Sequence, residues 1–349
     1  MTTKRTIRWV ISHYPVHLFV RTAEKFRDEL EKELPGQFDV EILTMRGYAE
    51  KYGKYPNMKL SAPNLLNLEH TPAEFTKRDG TTGTVAFADS WKDMVKKWSS
   101  LFDGLSNGDF EISQTQVGIV GHYLDKNFSA IDLPFLFEDH DHVSRVLDGD
   151  IGMSMCEDLG KKTNIRGLAF TYSGGYRVIG ANHEITNLSE LANAQLMTHT
   201  PISDRLFNAV GANVIDKFKT DLSTLDADDQ NAVETTYLRF SGNHVYKTNH
   251  SMFTTTILTG NGFWNTLTED EQAAFMRVAK TVAVTERAWS IADAEQYEQQ
   301  AAANGITINE ISEQDRAQLQ EASQYVYANL GQLGIDSALV DQITQDRLH

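Results

Sequence analysis

The stretch TEDEQAAFMRVAKTVAVTERAWSIADAEQYEQQ, from Thr268 to Gln300, decides the fold. Thr268 with Glu271 three places on is a capping-box pattern, in which each residue satisfies the other's orphan backbone donor and so opens a helix. Gly305 ends the segment. At ~1.5 Å per residue, an unbroken helix from Glu269 to Gln300 would be ~48 Å long, more than the diameter of one small domain. It is therefore expected to run across two domains.

Working outward, a short strand at Ile306–Ile311 and a final helix from about Glu313 to Leu330 follow it. At the other end of the chain, Ile7–Ser12 is β-rich and is broken by His13, Tyr14 and Pro15. Phe19, Ala23, Phe26 and Leu30 then share one helical face, with charged residues opposite. Pro35-Gly36 stops this helix, and Phe38–Leu43 reads as a second strand. Such a βαβ unit implies a parallel pair with a right-handed crossover.

Residues from about 46 to 86, with Tyr48, Tyr52, Tyr55, Pro56 and Pro63, show no clear period and read as a loop-rich insertion, either a surface decoration or a lid or partner contact. A helix is predicted from about Ser90 to Leu105, a strand over Glu111–Val120, and a helix from about His140 to Leu159. Between the last two, Ile131–Phe137 is an apolar run carrying a proline, typical of a strand edge or a domain crossing. Ile165–Thr171 and Tyr176–Ala181 read as strands on either side of a turn at Gly174-Gly175. Ser203–Val210 reads as a helix closed by Gly211. The expected lobes are 1–131 plus 250–268 (mainly lobe 1) and 132–249 (mainly lobe 2), with 269–349 supplying the spanning helix and a C-terminal strand and helix.

At 349 residues the chain is long enough for two domains, and its 41% apolar and 23% charged content is that of a globular protein. No apolar run approaches the ~18 residues of a spanning helix. The formal charge of −16, with no Lys/Arg stripe, argues against nucleic acid as a partner. Cys156 stands alone, so it makes neither an internal disulfide nor a thiolate zinc site, and reads as a small buried hydrophobe. Met1–Thr6 is short and polar and lacks the ~7–15 apolar residues of a secretory leader. A mature form with an added Met and a cytoplasmic protein both fit.

Catalytic signatures are missing: there is no G-x-S-x-G, no P-loop, no H-E-x-x-H and no G-x-G-x-x-G. The cluster Glu138-Asp-His-Asp-His142 looks metal-like, but on a helix His140 and His142 would point roughly 200° apart. Its acidic residues read instead as helix-start residues favoured by the dipole. No catalytic residue, metal or cofactor is expected. Arg177, in Gly174-Gly-Tyr-Arg177, has two equal readings: a bidentate clamp for a ligand carboxylate, or an interdomain salt bridge.

Several runs share an order and spacing. Asp132-Leu-Pro-Phe-Leu-Phe137, Val146-Leu-Asp-Gly149, Gly174-Gly-Tyr-Arg177 and Ile185-Thr-Asn-Leu-Ser-Glu-Leu191 are followed by Gly211-Ala-Asn213, Glu234-Thr-Thr-Tyr237, Tyr246-Lys-Thr-Asn-His250 and Trp264-Asn-Thr-Leu267. Together with the long helix they resemble the solute-binding subunits of TRAP transporters (tripartite ATP-independent periplasmic, DctP type), from about residue 5 to 335 apart from the insertion.

The resemblance implies an α/β, two-domain periplasmic-binding-protein clamp of type II-like form. It implies capture of a small organic molecule in the interdomain cleft, delivery to TRAP membrane permease subunits, a periplasmic location and no chemistry on the ligand. The family's ligands are usually organic acids held by an arginine, and that position is Met197 here, which cannot form a bidentate pair. Either Arg177 takes over, or the ligand is less charged. Thr198, His199, Glu234, Thr235 and Phe253 lie near family contact positions. His13, Tyr14, His122 and Tyr123 follow strands, where ligands of open α/β sheets sit. A ligand-sensing clamp acting on a signalling partner, and an enzyme, are the competing readings.

Overall fold

In β1 (Arg5–Ile11) Ile7, Trp9 and Val10 are fully buried, and the strand pairs in parallel with β2 (Phe38–Thr44). The amphipathic helix α1 (Val16–Glu33) connects them, so the expected βαβ unit is present. The computed structural model describes residues 4–12, 16–60, 75–76, 82–83, 91–216, 219, 231–237 and 243–348.

The region expected to be loop-rich starts as a helix, α2 (Met45–Tyr52), capped by Thr44, which accepts from the Gly47 amide at 3.0 Å. Met45, Tyr48 and Ala49 join Met58 in the core, and Tyr48 stacks on Tyr52 at 4.8 Å. The aromatics thus give a packed face where the sequence shows no period. A 3-10 turn over Pro56–Leu60 follows, and from residue 61 to 86 only the two-residue strands β3 (Phe75–Thr76) and β4 (Thr82–Gly83) fall within the described residues.

After α3 (Trp91–Ser106), the strand expected to reach Val120 ends early as β5 (Ile112–Gln116), and α4 (Val117–Tyr123) begins at once. Burial of Val117, Val120 and Gly121 at helical spacing overrides the β propensity of the two valines. The predicted helix 140–159 is two helices, α5 (His140–Asp148) and α6 (Asp150–Lys162). They part at Gly149, where a Cβ would stand 2.4 Å from the Arg145 carbonyl oxygen. The apolar run before them is no strand. It leaves a short 3-10 turn, and Phe135, at φ +54°, donates its amide to the His250 carbonyl at 2.8 Å.

Gly174 and Gly175 do not reverse the chain. They adopt φ of +95° and +72°, yet β6 (Ile165–Tyr176) continues through them and, after Arg177, becomes β7 (Val178–Ala181). Then come β8 (Gln195–Met197), α7 (Pro201–Ala209), β9 (Asn231–Thr235), β10 (His244–Lys247), β11 (Met252–Gly260) and α8 (Asn261–Trp264). α9 (Glu269–Gln300) has the expected bounds and capping box, and β12 (Thr307–Glu310), α10 (Glu313–Tyr327), α11 (Leu330–Leu333) and α12 (Ser337–Gln345) complete the chain.

Two mixed five-stranded sheets result, ordered β2-β1-β5-β11-β6 and β12-β10-β7-β9-β8. The backbone passes between them at the β6–β7 and β10–β11 junctions. α9 packs on α1 and β6 at one end, and near the other its Glu298 receives Lys247 of β10. This is a two-lobed α/β clamp with a helix spanning both lobes. Residues 132–164, expected mainly in lobe 2, pack through α5 and α6 on β6 of the first sheet, and the strands of the second sheet begin at Val178. Among the described residues no helix is long and apolar enough to cross a membrane.

Candidate functional site

Both crossings converge on Glu234, the fourth residue of β9. Its Oε1 accepts from Ser203 Oγ at 2.6 Å and stands 3.0 Å from His250 Nε2, and its Oε2 accepts from the His199 amide at 2.9 Å. His250 lies on the β10–β11 crossing, with Nδ1 2.8 Å from the Thr248 hydroxyl. From the β6–β7 crossing comes Arg177, whose amide donates to the Ser251 carbonyl. Its guanidinium lies 4.2 Å from the ring centroid of Phe253, donates through Nη2 to Asp132 Oδ1 at 3.2 Å, and brings Nε to 3.9 Å from Glu234.

Arg177, Asp132, Glu234 and His250 are almost wholly buried, so charge dominates the behaviour of this network. Burial alone would raise the pKa of Glu234, but Arg177 and His250 hold it well below the usual carboxylate range. Asp132 is pushed up to about 6 by burial, which outweighs Arg177, with the Glu234 charge adding to the rise. The one guanidinium is already shared by two carboxylates. The salt-bridge reading of Arg177 therefore describes its contacts, and a ligand carboxylate would have to compete with Asp132 for it.

The lobes meet beside this network. Gly118, at the start of α4 on the first lobe, is packed so closely that a Cβ there would lie 2.5 Å from Asp132 Oδ2, 3.1 Å from Thr200 Cγ2 and 3.4 Å from Gln116 Nε2. Thr200 is the N-cap of α7 on the second lobe and accepts from the Ser203 amide. Gln116 ends β5 and Met197 ends β8, so both faces are built at carboxyl ends of strands, the position where open α/β sheets bind ligands. Asp132 Oδ2, Gln116 Nε2 and Arg177 Nη1 make no hydrogen bond among the described residues.

Of the residues singled out in the sequence, Arg177, Glu234, His199 and Phe253 are brought together. Thr235 adjoins Glu234 at the end of β9 and pairs with Val178, and Met197 is buried at the end of β8 opposite Val233. Thr198 donates to the Asp204 carboxylate instead. Tyr123 turns to α3, where its hydroxyl donates to the Val95 carbonyl at 3.3 Å, and His122 packs edge-on against the Tyr123 ring. His13 and Tyr14 lie outside the described residues. Asp132, His250, Ser203, Gln116 and Gly118 were not singled out for the site. Asp132 and His250 do stand inside the runs that carry the resemblance, which is the signal that could have found them. No group of three or more potential metal-ligating residues occurs among the described residues.

Comparison with known proteins gives concordant results. The sequence matches the DctP family, described as bacterial extracellular solute-binding protein, family 7, over residues 94–218 and 231–332. It is 24% identical over 237 residues to the C4-dicarboxylate-binding protein DctB of Bacillus subtilis, covering 64% of this chain and 67% of that protein. It is 30% identical over 93 residues to an uncharacterized protein of Haemophilus influenzae, a match that spans 28% of that protein and 26% of this chain.

Among solved structures, a TRAP periplasmic solute-binding protein of Desulfovibrio desulfuricans with bound sn-glycerol-3-phosphate superposes with a TM-score of 0.74 at 14% identity, covering 98% of this chain and 97% of that one. The sugar acid binding protein of Advenella mimigardefordensis in complex with galactonate gives 0.73 at 17% identity, covering 99% and 98%. At these identities the likeness is one of fold.

Proposed function

Because the chain belongs to the DctP family, the bacterial extracellular solute-binding proteins of family 7, we propose that it captures a small organic solute between its lobes and delivers it unaltered to a TRAP membrane permease from the periplasmic side. The observation that carries this reading is the pair of strand junctions joining two sheets, with Asp132 and Gln116 of the first lobe and Thr200 of the second closing on one point at Gly118. A solute that touches both faces favours the closed arrangement by its differential affinity for it.

The grip differs from the one the family resemblance implies. Met197 stands where the resemblance places the carboxylate-binding arginine, and Arg177 is held by Asp132 and Glu234. Gln116 Nε2 can donate to a solute oxygen, and Asp132 Oδ2 can accept from a hydroxyl or ammonium group. This donor set suits an organic acid rich in hydroxyl or amino groups better than a plain dicarboxylate.

Native mass spectrometry of the purified full chain tests this by identifying a co-purifying molecule. Thermal melting with hydroxy acids, amino acids and plain dicarboxylates then ranks the classes. A true solute at ~100 times its Kd stabilises the folded state by about 2.7 kcal/mol. A solute recovered in chemically altered form, or no stabilisation by any organic molecule of this size, removes the proposal.

A further inference from the structure

An extended chain sends consecutive side chains to opposite faces. At the β6–β7 crossing Arg177 turns to the Glu234 network, and Tyr176 faces the other way. At the β10–β11 crossing Phe253 lies under Arg177, and Met252 faces the other way. Tyr176 and Met252 line a cavity of about 390 Å³ on the other side of the hinge, which His250 of the Glu234 network also borders. Its size falls at the lower end of the roughly 300–1,000 Å³ typical of small-molecule sites.

Its walls belong to different lobes. Arg316 comes from α10, which packs on α7 of the second lobe. Arg347 follows α12, which returns to pack on α6 of the first lobe, and it donates to the Phe135 and Leu136 carbonyls. Among the described residues neither guanidinium makes an ion pair, and Glu138 is the one carboxylate lining the cavity. In a chain with a formal charge of −16, a cavity with two such cations is a local reversal of sign. Burial and the nearby Asp139 carboxylate push the Tyr176 phenol up, and Arg316 stands close enough to oppose them.

We propose that this rear cavity is a second binding site, taking a small oxyanion, carboxylate or phosphate, between Arg316 of one lobe and Arg347 of the other. The Arg316 guanidinium fork matches two oxygens of either group, and Arg347, whose Nε and Nη2 already donate to the Phe135 and Leu136 carbonyls, adds its charge and its Nη1 donors. Because its two anchors move with different lobes, the occupant's affinity depends on the lobe angle, and by linkage the occupant alters that angle. The site stands independently of what the front cleft captures.

The test uses the full chain labelled with methyl-¹³C methionine, with Met252 assigned through Met252→Leu. Inorganic phosphate and malonate are titrated at constant ionic strength, with chloride as the control. Met252 reports the rear cavity and Met197 the front cleft. The expected result is a saturable shift of the Met252 methyl with either anion, with the midpoint raised about tenfold in Arg316→Ala and less in Arg316→Lys. Saturation by only one of the two anions upholds the site and identifies its chemistry. A Met252 signal that moves no more than with chloride, an unchanged midpoint in Arg316→Ala, or a shift at Met197 without one at Met252 overturns it.

Discussion

Arg177 and Asp132 form an ion pair at 3.2 Å in which neither side chain reaches solvent, and Glu234 shares the same guanidinium at 3.9 Å. Breaking a buried pair from one side leaves an uncompensated charge, which costs ~3–5 kcal/mol. Arg177→Met strands the Asp132 carboxylate, takes one of its two cations from Glu234, and is expected to lower stability by that order, read as a lower urea midpoint. Adding Asp132→Asn should recover part of the loss, because the stranded charge disappears. A lone Arg177→Met that unfolds at the wild-type midpoint would show that the guanidinium is not the keystone of this network.

The hinge glycine Gly175 can be tested without crowding a neighbour. A Cβ on Gly175 meets nothing nearer than His140 Cε1 at 3.8 Å, so the cost of Gly175→Ala is the strain of φ +72° alone. That cost is about 1–2 kcal/mol. Asn tolerates the left-handed region better, so Gly175→Asn should lose less than Gly175→Ala in the same denaturation experiment. The reverse order would mean that packing, not backbone strain, limits this position.

Burial raises the Glu286 carboxyl to about 8 in the folded chain, against 4.5 ordinarily, and the amide of Tyr172, Arg287 and Arg21 only partly oppose it while Asp293 adds to the rise. The folded state therefore holds this proton more tightly than the unfolded one. Its contribution is complete below pH ~4.5 and is lost as pH climbs through about 8, on the order of a few kcal/mol in total. Glu286→Gln keeps the acceptor for the Tyr172 amide without the titration. Melting temperatures from pH 5 to 8.5 should fall more steeply for the wild type than for the Gln variant, and equal slopes would contradict the assignment.

These groups also show where the sequence could be read and where it could not. α9 was legible because its start and stop are local signals, Thr268 with Glu271 and then Gly305. α1 was legible from the spacing of its apolar face and the stop at Pro35-Gly36. The role of Arg177 stayed open between two readings because its partner Asp132 lies 45 positions upstream, and nothing local brings them together. Gly174-Gly175 read as a reversal because paired glycines at positive φ serve tight turns. Here the pairing of Tyr176 with Met252 keeps the strand going, and that pairing is a long-range fact. Met197 was noticed as a departure, but the groups that surround the meeting point of the lobes, Gln116, Gly118 and Thr200, carry no local mark of that role.

Gly118 offers the most direct test of closure. A methyl group there would have to occupy space 2.5 Å from Asp132 Oδ2 and 3.1 Å from Thr200 Cγ2, and the second of these contacts crosses from lobe to lobe. The lobes can relieve it by separating, at the expense of the Gly118–Thr200 approach. Gly118→Ala should therefore shift the population toward the open form, seen as a larger radius of gyration in small-angle X-ray scattering. Thr200→Ser removes the crowded Cγ2 but keeps the hydroxyl that caps α7, so in the Gly118→Ala background it should restore part of the compactness. If Gly118→Ala scatters like the wild type, the contact does not govern how the lobes close. If Thr200→Ser restores nothing, the clash is with Asp132 inside one lobe and the inter-lobe account fails.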